Sequence, residues 1–210
     1  MGNTTLLDIL GSLTTFGLLL LAVLRLNGAA TENNYAYSQN YLLQRNMVVI
    51  TTLLEDDLKH VGSGIYDADG GIQYADTNDL RYTVCLNPRS TTKNTVEWKL
   101  EATAPPNTQN PNIRYISRTV DGVTSMMNLG VTRFVFKYWS ILNPDSAMVT
   151  PINSANNPNP CGNIGPVSVM LTLESSYKMN QSYMNDTSQY AMVWRQLRSI
   201  SRNNSLQFPQ

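Results

Sequence analysis

Few side chains in this sequence are of the types that perform catalysis or bind metals. The 210 residues include one histidine and two cysteines, too few nitrogen and sulfur ligands for a typical zinc site. A catalytic histidine needs a serine or cysteine to activate and an acid to orient it, and no such pattern surrounds His60. We therefore predict that the protein is not an enzyme, with no catalytic residue, no bound metal and no cofactor.

Two aspartates resemble the start of a calcium-binding loop. Asp67 and Asp69 precede Gly70 and Gly71, but an EF-hand loop also needs a glutamate six residues after its glycine. The residues at those positions are an aspartate and a threonine. The pattern therefore indicates an exposed turn.

A second acidic group, Glu55 to Asp57, falls near the predicted end of a helix, where the helix dipole disfavours negative charge. We predict a solvated face with Lys59 and Arg45 nearby, and a contact with a partner is the alternative. Three tryptophans are predicted to be core residues or subunit contacts rather than a ligand platform: Trp98, Trp139 and Trp194.

The two cysteines are candidates for a disulfide. Outside the cytoplasm such a pair tends to oxidise, and a bridge between Cys85 and Cys161 would close a long loop, stabilising the fold by about 4 kcal/mol. Cys85 lies in a predicted strand and Cys161 in a predicted loop. The alternative is two unrelated thiols.

One acid, Asp8, is the only charged residue between Thr4 and Leu24, a run that Arg25 closes. As a helix this run is roughly 31 Å long, which matches the hydrocarbon core of a bilayer. A carboxylate in such a segment is costly and usually has a partner.

Three interpretations of this segment compete. A cleaved secretory signal would need a basic start and a shorter apolar core, whereas no lysine or arginine precedes Arg25, and residues 27–30 are only a weak cleavage site. A plain membrane anchor is the second. The third is a filament-forming helix in which Asp8 pairs with the amino terminus of a neighbouring subunit.

The helix is predicted to continue to Val61. Residues 31–61 contain no proline, and Gly62 and Gly64 follow as a stop signal. One face carries an apolar stripe, which Leu42, Val49 and Leu53 widen. The stripe consists of Leu43, Met47, Ile50, Leu54, Leu58 and Val61.

Beyond Gly64 apolar residues alternate with polar ones, which predicts strands with one buried face. The strands fall around residues 80–86, 96–100, 113–119, 124–129, 134–138 and 167–173. Residues 143–166, rich in proline and asparagine, are predicted to be a long surface loop, and residues from Tyr190 onward fit either a helix or a strand.

These elements predict an α+β fold, a long N-terminal α-helix packed on an antiparallel β-sheet head. The helix is apolar in its first half and amphipathic in its second. We divide the chain into a hydrophobic N-terminal helix (1–30) and a head (31–210) with an amphipathic helix at 31–61 and a β-rich region at 65–210.

The net charge is zero, which does not favour nucleic-acid binding. Charged residues make up 14%, a low share that is common in exported proteins.

This arrangement resembles the type IV pilin and pseudopilin family. Residues 4–8 look like the Phe-Thr-Leu-x-Glu start of the mature chain, with Asp8 at the place of the fifth-residue glutamate. Residues 53–62 resemble the segment where minor pilins of the W and J types leave the helix. The strands at 130–139 and 165–173 resemble the last strands of those subunits.

The resemblance implies a minor pilin-like subunit of a type II secretion pseudopilus or of a type IV pilus tip complex. It implies a single span in the inner membrane, a periplasmic head, later extraction into a filament, and other pilin subunits as partners. Prepilin peptidase would cut between Asn3 and Thr4, where Asn3 replaces the family's glycine. The alternative is a membrane-tethered periplasmic binding or adhesion domain that never polymerises.

Overall fold

The computed structural model describes residues 2–64, 71–85, 92–143, 145–153, 160–178 and 190–200. Asp67 and Asp69, the aspartates of the rejected calcium pattern, lie outside the described residues. The fold is one long helix packed on one sheet, so the predicted α+β class is confirmed.

Helix α1 spans Gly2–His60, 59 residues without a break, which corresponds to about 88 Å. It ends where the sequence supplies glycines. Gly62 and Gly64 have φ angles of 70° and 71°, which side chains with a Cβ rarely adopt. The N–H of Ser63 donates to the carbonyl of His60 at 2.9 Å and closes the last turn.

The head is an eight-stranded sheet in which every pair of neighbours is antiparallel, in the order β6-β1-β2-β3-β4-β5-β7-β8. Alternating apolar residues predict most of these strands, but not the short pair β1 and β6. The strands are β1 Ile72–Ala75, β2 Asp79–Val84, β3 Asn94–Leu100, β4 Arg114–Val120, β5 Val123–Ser140, β6 Ile152–Asn153, β7 Ile164–Glu174 and β8 Met192–Ile200.

Strand β5 differs most from the prediction, since residues 124–129 and 134–138 belong to one strand of 18 residues. Its first part pairs with β4 and its second part with β7. Between them the register with β4 shifts near Gly130, whose φ is 81°. One strand therefore serves both halves of the sheet by bending at a glycine.

Two predictions about irregular regions are now decided. Residues 143–166 are not simply a loop, because Ile152–Asn153 pair with β1 and Pro160–Asn163 form a 3₁₀ turn. The apolar runs in this region are too short to show the two-residue period of a strand. The segment after Tyr190, for which both helix and strand were open, is strand β8, because residues 192–200 pair along the whole of β7.

The core lies between one face of α1 and the sheet, where α1 contacts β5, β7 and β8. All six residues of the predicted apolar stripe are buried, so the stripe is confirmed. The prediction that Leu42 and Val49 widen the buried stripe is wrong. These residues are 44% and 50% exposed, because they lie at the flank of the helix and not over the sheet.

Candidate assembly surface

The first part of α1 is an apolar surface that the head does not cover. No residue of the helix between positions 5 and 42 is buried, and the first buried side chain is Leu43. From Leu6 to Leu26 the large apolar side chains are 52–70% exposed. An apolar surface of this extent is unfavourable in water and marks a site for lipid or another protein.

The polar side chains within this segment are satisfied by the helix itself. The hydroxyls of Ser12, Thr14 and Thr15 donate to backbone carbonyls three or four residues earlier, at 2.7–3.0 Å. Hydroxyls bonded in this way can enter an apolar environment without an unpaired donor. The helix is long and apolar enough to cross a membrane, with a mean hydropathy of 2.1 over its most apolar window, none of which is buried.

Asp8 is the exception to this internal pairing. Its side chain is exposed, and among the described residues it has no hydrogen bond or salt bridge. A solvated carboxylate can remain unpaired, but one transferred to a low-dielectric environment needs a cation or hydrogen-bond donors. Asn3 and Thr4, the predicted processing positions, belong to the first turn of α1, and their side chains lie outside the described residues.

At its other end α1 is fixed to the sheet by a buried ionic cluster. The Arg118 guanidinium donates to both carboxylate oxygens of Asp57, from Nε at 2.7 Å and from Nη2 at 3.0 Å. The Trp98 indole N–H donates to the same carboxylate at 2.7 Å. The hydrogen bond that Arg118 donates to Asp57 raises the pKa of the guanidinium, and burial followed by the charge of Asp57 raises the pKa of Tyr82. The cluster joins α1 to β3 and β4.

The prediction of a solvated acidic face is therefore correct for Asp56, which is exposed, and wrong for Asp57, which is 8% exposed. Glu55 is half-buried and its partner is Arg195 on β8, at 3.4 Å. The signal for Asp57 was present in the sequence. Asp57 follows Ile50 by seven residues, which is two helical turns, and so it lies on the buried face.

A second carboxylate in the head, that of Asp79, is less completely hydrogen-bonded than that of Asp57. One oxygen of Asp79 is buried and has no hydrogen-bond partner among the described residues. Burial, and next the negative charge of Glu97, raise the pKa of Asp79 to about 6. In the part of the chain that the structure describes, no group of three or more His, Cys, Asp or Glu residues could hold a metal ion.

The remaining residues that could do chemistry, His60 and the two cysteines, do not form a common site. His60 is exposed, and its Nδ1 is 2.7 Å from the carbonyl of Asp56. The two cysteine sulfurs are not bonded to each other, because Cys85 follows β2 whereas Cys161 lies in the 3₁₀ turn against β1 and β6. The Cys161 thiol donates to the carbonyl of Gln73 at 3.6 Å, and burial raises its pKa to about 11. The disulfide is not formed in this structure and stays a prediction.

The three tryptophans have three different environments. Trp98 is fully buried and is a core residue, as predicted. Trp139 is half-buried on the outer face, with the Arg198 guanidinium 5.0 Å from its ring centre. Trp194 is 65% exposed on β8.

The fold and the surface define a class of protein, a small antiparallel head carried by a helix whose first part is apolar and unburied. No protein-family model matches the sequence, and no curated protein matches it. Among solved structures the chain is similar to a type IV-like pilin from Thermus thermophilus. The two share 7% sequence identity, with a TM-score of 0.44 over 78% of this chain and 98% of that chain.

Proposed function

We propose that this chain is a pilin-like structural subunit that acts by membrane insertion and assembly. The observation that carries the proposal is the division of α1. One continuous helix supplies the core of the head from Leu43 onward and leaves an uncovered apolar segment before it. A helix built in this way can anchor the head in a membrane and can also pack against the same segment of other subunits.

Asp8 distinguishes an assembling helix from a simple anchor. In a bundle of apolar helices, its carboxylate would pair with the amino terminus of a neighbouring subunit, because the low dielectric makes an unpaired charge costly. The amino terminus of the neighbour would need to be near the second turn of the helix. A cut between Asn3 and Thr4 by prepilin peptidase would create a suitable amine there.

The more specific proposal is a minor pilin-like subunit of a type II secretion pseudopilus or of a type IV pilus tip complex. It is supported by the resemblance of residues 53–62 and of strands β5 and β7 to minor pilins of the W and J types. The subunit would span the inner membrane once, with the head in the periplasm, and would contact other pilin or pseudopilin subunits in a filament.

The first experiment is to determine the mass and N-terminal sequence of the protein recovered from its native membranes and from sheared surface material. A chain that begins at Thr4 supports prepilin processing despite Asn3. A chain that begins after residues 28–30 is a secreted protein and overturns the proposal. An intact chain found only in membranes favours the tethered binding or adhesion domain.

A substitution of Asp8 separates assembly from anchoring. We expect Asp8→Ala to remain in the membrane fraction and to be lost from sheared filaments, because the partner amine then has no acceptor. Asp8→Glu keeps the charge and is the matched control, with assembly retained. Equal recovery of Asp8→Ala and the wild-type chain from filaments would contradict the proposed role of this carboxylate.

A further inference from the structure

Strand β8 is the last strand of the sheet, and no described residue pairs with its outer edge. Its nine residues, Met192–Ile200, pair with β7 on one side. The N–H of Ser175 donates to the carbonyl of Ala191 at 2.9 Å, and bonded and non-bonded residue pairs alternate along an antiparallel ladder. Pro166, which has no N–H, lies opposite Ile200, where the ladder needs none. The odd-numbered residues of β8 therefore bond to β7, and the even-numbered ones direct their N–H and C=O groups to the open edge.

This open edge lacks the usual protection against strand addition. Natural edge strands are commonly blocked by proline or by charges that point inward. Strand β8 contains no proline, and its inward-facing charge, Arg195, is bound by Glu55 of α1 at 3.4 Å. Leu197 is buried on the same side, so the even-numbered side chains face outward, where Trp194 and Ile200 are 65% and 64% exposed. The edge is therefore available to an extended segment of another chain.

The outer face of the sheet beside this edge carries three cations. Lys137 and Arg198 lie on either side of Ser168, about 10 Å apart. Arg133 lies in the row of Trp194, two strands away from it. None of the three cations forms a salt bridge with a described residue.

Negative charge on the same face is scarce. The outward-facing acid of the described part of β7 and β8 is Glu174, at the end of β7. Its carboxylate already accepts hydrogen bonds from Asn110 at 2.7 Å and from Thr132 at 3.3 Å. The guanidinium of Arg198 lies 5.0 Å from the ring centre of Trp139, which holds this charge over the sheet. The face therefore complements an acidic partner.

We propose that β8 binds an acidic, extended segment of another protein, which joins the sheet as an antiparallel strand. The backbone groups of the even-numbered residues would pair with the segment. Residues directly opposite one another share a face of the sheet, so acidic side chains on the outward positions of the segment would lie beside Arg198. A second copy of β8 would instead bring Arg195 and Arg198 of both chains together, which is unfavourable. Strand addition uses the head alone and requires neither membrane insertion nor assembly of the apolar segment.

Titration of a model peptide tests the charge of the partner. The peptide consists of about ten residues, alternating glutamate and valine, with both ends blocked and a fluorescent label. It is titrated into the full-length chain in detergent, and binding is followed by fluorescence anisotropy. We expect it to bind at least about tenfold more tightly than a matched peptide of alternating lysine and valine. Equal affinities would overturn the proposal.

Methylation of the peptide backbone tests strand pairing. In the antiparallel arrangement the outward-facing glutamates of the peptide donate their N–H groups to β8, whereas the N–H groups of the valines point away from it. Methylation of the glutamate nitrogens should therefore weaken binding by at least about tenfold. Methylation of the valine nitrogens is the matched control and should change the affinity by less than about threefold. A glutamate-methylated peptide that binds like the unmodified one would show that no strand is added.

Variants of β8 test the same edge from the side of the protein. Gln196→Pro removes an N–H that faces the open edge and leaves the ladder with β7 intact, so it should weaken binding of the glutamate peptide by at least about tenfold. Gln196→Ala is the control, because it loses only the amide bond to Ser168, and its affinity should stay within about twofold. Arg198→Glu should weaken binding by at least about tenfold through charge alone. Full binding to Arg198→Glu would overturn the proposal, and denaturant unfolding shows that each variant is folded.

Two other occupants of this surface have their own signatures in the same assays. A single-stranded oligonucleotide could use the cations and Trp194 without pairing to the backbone of β8. An oligonucleotide that binds more tightly than the glutamate peptide, and equally well to Gln196→Pro, would overturn the proposal in favour of nucleic acid. A dimer of the chain in detergent that Gln196→Pro dissociates, with no binding of the glutamate peptide, would overturn it in favour of a second copy.

Discussion

At the residue scale, the charged groups of the head are governed by burial. Asp57 and Arg118 are paired with bidentate geometry, and Trp98 occupies one further acceptor site of the carboxylate. The hydrogen bond that Arg118 donates to Asp57 raises the pKa of the guanidinium further above its ordinary value. A pair of this kind contributes modestly when complete, but it is expensive to break, because the buried Trp98 N–H and the half-buried Arg118 guanidinium would both lose a charged acceptor.

Replacing Asp57 by alanine should therefore destabilise the head strongly. We expect Asp57→Ala to lower the free energy of unfolding by about 3–5 kcal/mol, since the Arg118 guanidinium and the Trp98 indole N–H both lose their acceptor. The measurement is denaturant unfolding of the full-length chain in detergent, followed by tryptophan fluorescence. Asp56→Ala, one position away and exposed, is the matched control and should change stability by less than about 0.5 kcal/mol.

The double variant Asp57→Leu with Arg118→Leu separates a lost pair from an unpaired charge. It removes both ions, so it should cost clearly less than Asp57→Ala. If the double variant costs as much as the single one, the uncompensated guanidinium is not the cause of the instability.

The raised pKa of Asp79 predicts that the stability of the head depends on pH. Its pKa in the folded protein is about 6, above the ordinary value of 3.8, so the folded state holds the proton more tightly than the unfolded chain. The contribution of this group therefore falls as the pH rises from about 4 to about 6. Asp79→Asn should be more stable than the wild-type chain at pH 7, by at most about 1 kcal/mol because the group is partly solvated, with the difference vanishing near pH 4.

Unfolding curves of both chains between pH 4 and 7 provide the measurement. Asp121→Asn is a control of opposite sign, because hydrogen bonds from Asn94 and from the backbone of Thr95 lower the pKa of Asp121. The stability that Asp121 contributes is present above about pH 4 and is lost only as the pH falls below it, so the curves for this control extend below pH 4. An Asp79→Asn chain that is less stable at pH 7 would show that burial of the charge is not the dominant effect there.

At the element scale, the helix and most strands follow directly from hydrophobic period, and the exceptions have local causes. Residues 124–138 contain two alternating runs separated by Gly130, and alternation alone cannot tell a turn from a bend within one strand. Helix α1 passes close to this bend. Leu43 is 3.7 Å from the position of an added Cβ at Gly130, and the Asn46 amide donates to the Leu129 carbonyl at 3.3 Å.

Gly130 should therefore resist substitution. Its φ is 81°, and an added Cβ would be 2.6 Å from the carbonyl oxygen of Glu174 on β7. Gly130→Ala should cost about 2 kcal/mol or more, from conformational strain together with the displaced strand. The matched control is Gly122→Ala in the β4–β5 turn, where φ is 82° and no atom lies within 4 Å. It should cost only about 1–2 kcal/mol.

Unfolding of the two alanine variants under identical conditions isolates the steric part of the effect. The left-handed backbone is common to both positions, so the difference between them measures the close approach of β5 and β7. Equal destabilisation would mean that β7 shifts freely and that the bend is not fixed by this contact.

At the scale of the whole molecule, the sequence predicts the division of α1 because hydrophobic composition and helical period are both local signals. Between Thr5 and Leu24 apolar side chains lie on every side of the helix, with Asp8 as the one charged residue, whereas the stripe that begins at Leu43 marks a single buried face. The β1–β6 pair and the environment of Cys161 depend on contacts between distant segments, for which no local period exists. The role of Asp8 depends on a partner chain, so neither the sequence nor the fold of one chain determines it.

The same division predicts that the head is independent of the apolar segment. A chain beginning at residue 31 keeps every buried side chain of α1 and the cluster at Asp57, so it loses no core contact. We expect this fragment to be water-soluble, to leave the membrane fraction completely, and to unfold within about 1 kcal/mol of the full-length chain, as removal of exposed residues normally permits. Sedimentation of membranes and denaturant unfolding are the measurements.

A matched fragment beginning at residue 46 removes Leu43 and should be destabilised by about 2–5 kcal/mol. If instead the longer fragment fails to fold, the first part of α1 contributes to the head through contacts beyond those of the single chain, and anchoring and folding are coupled.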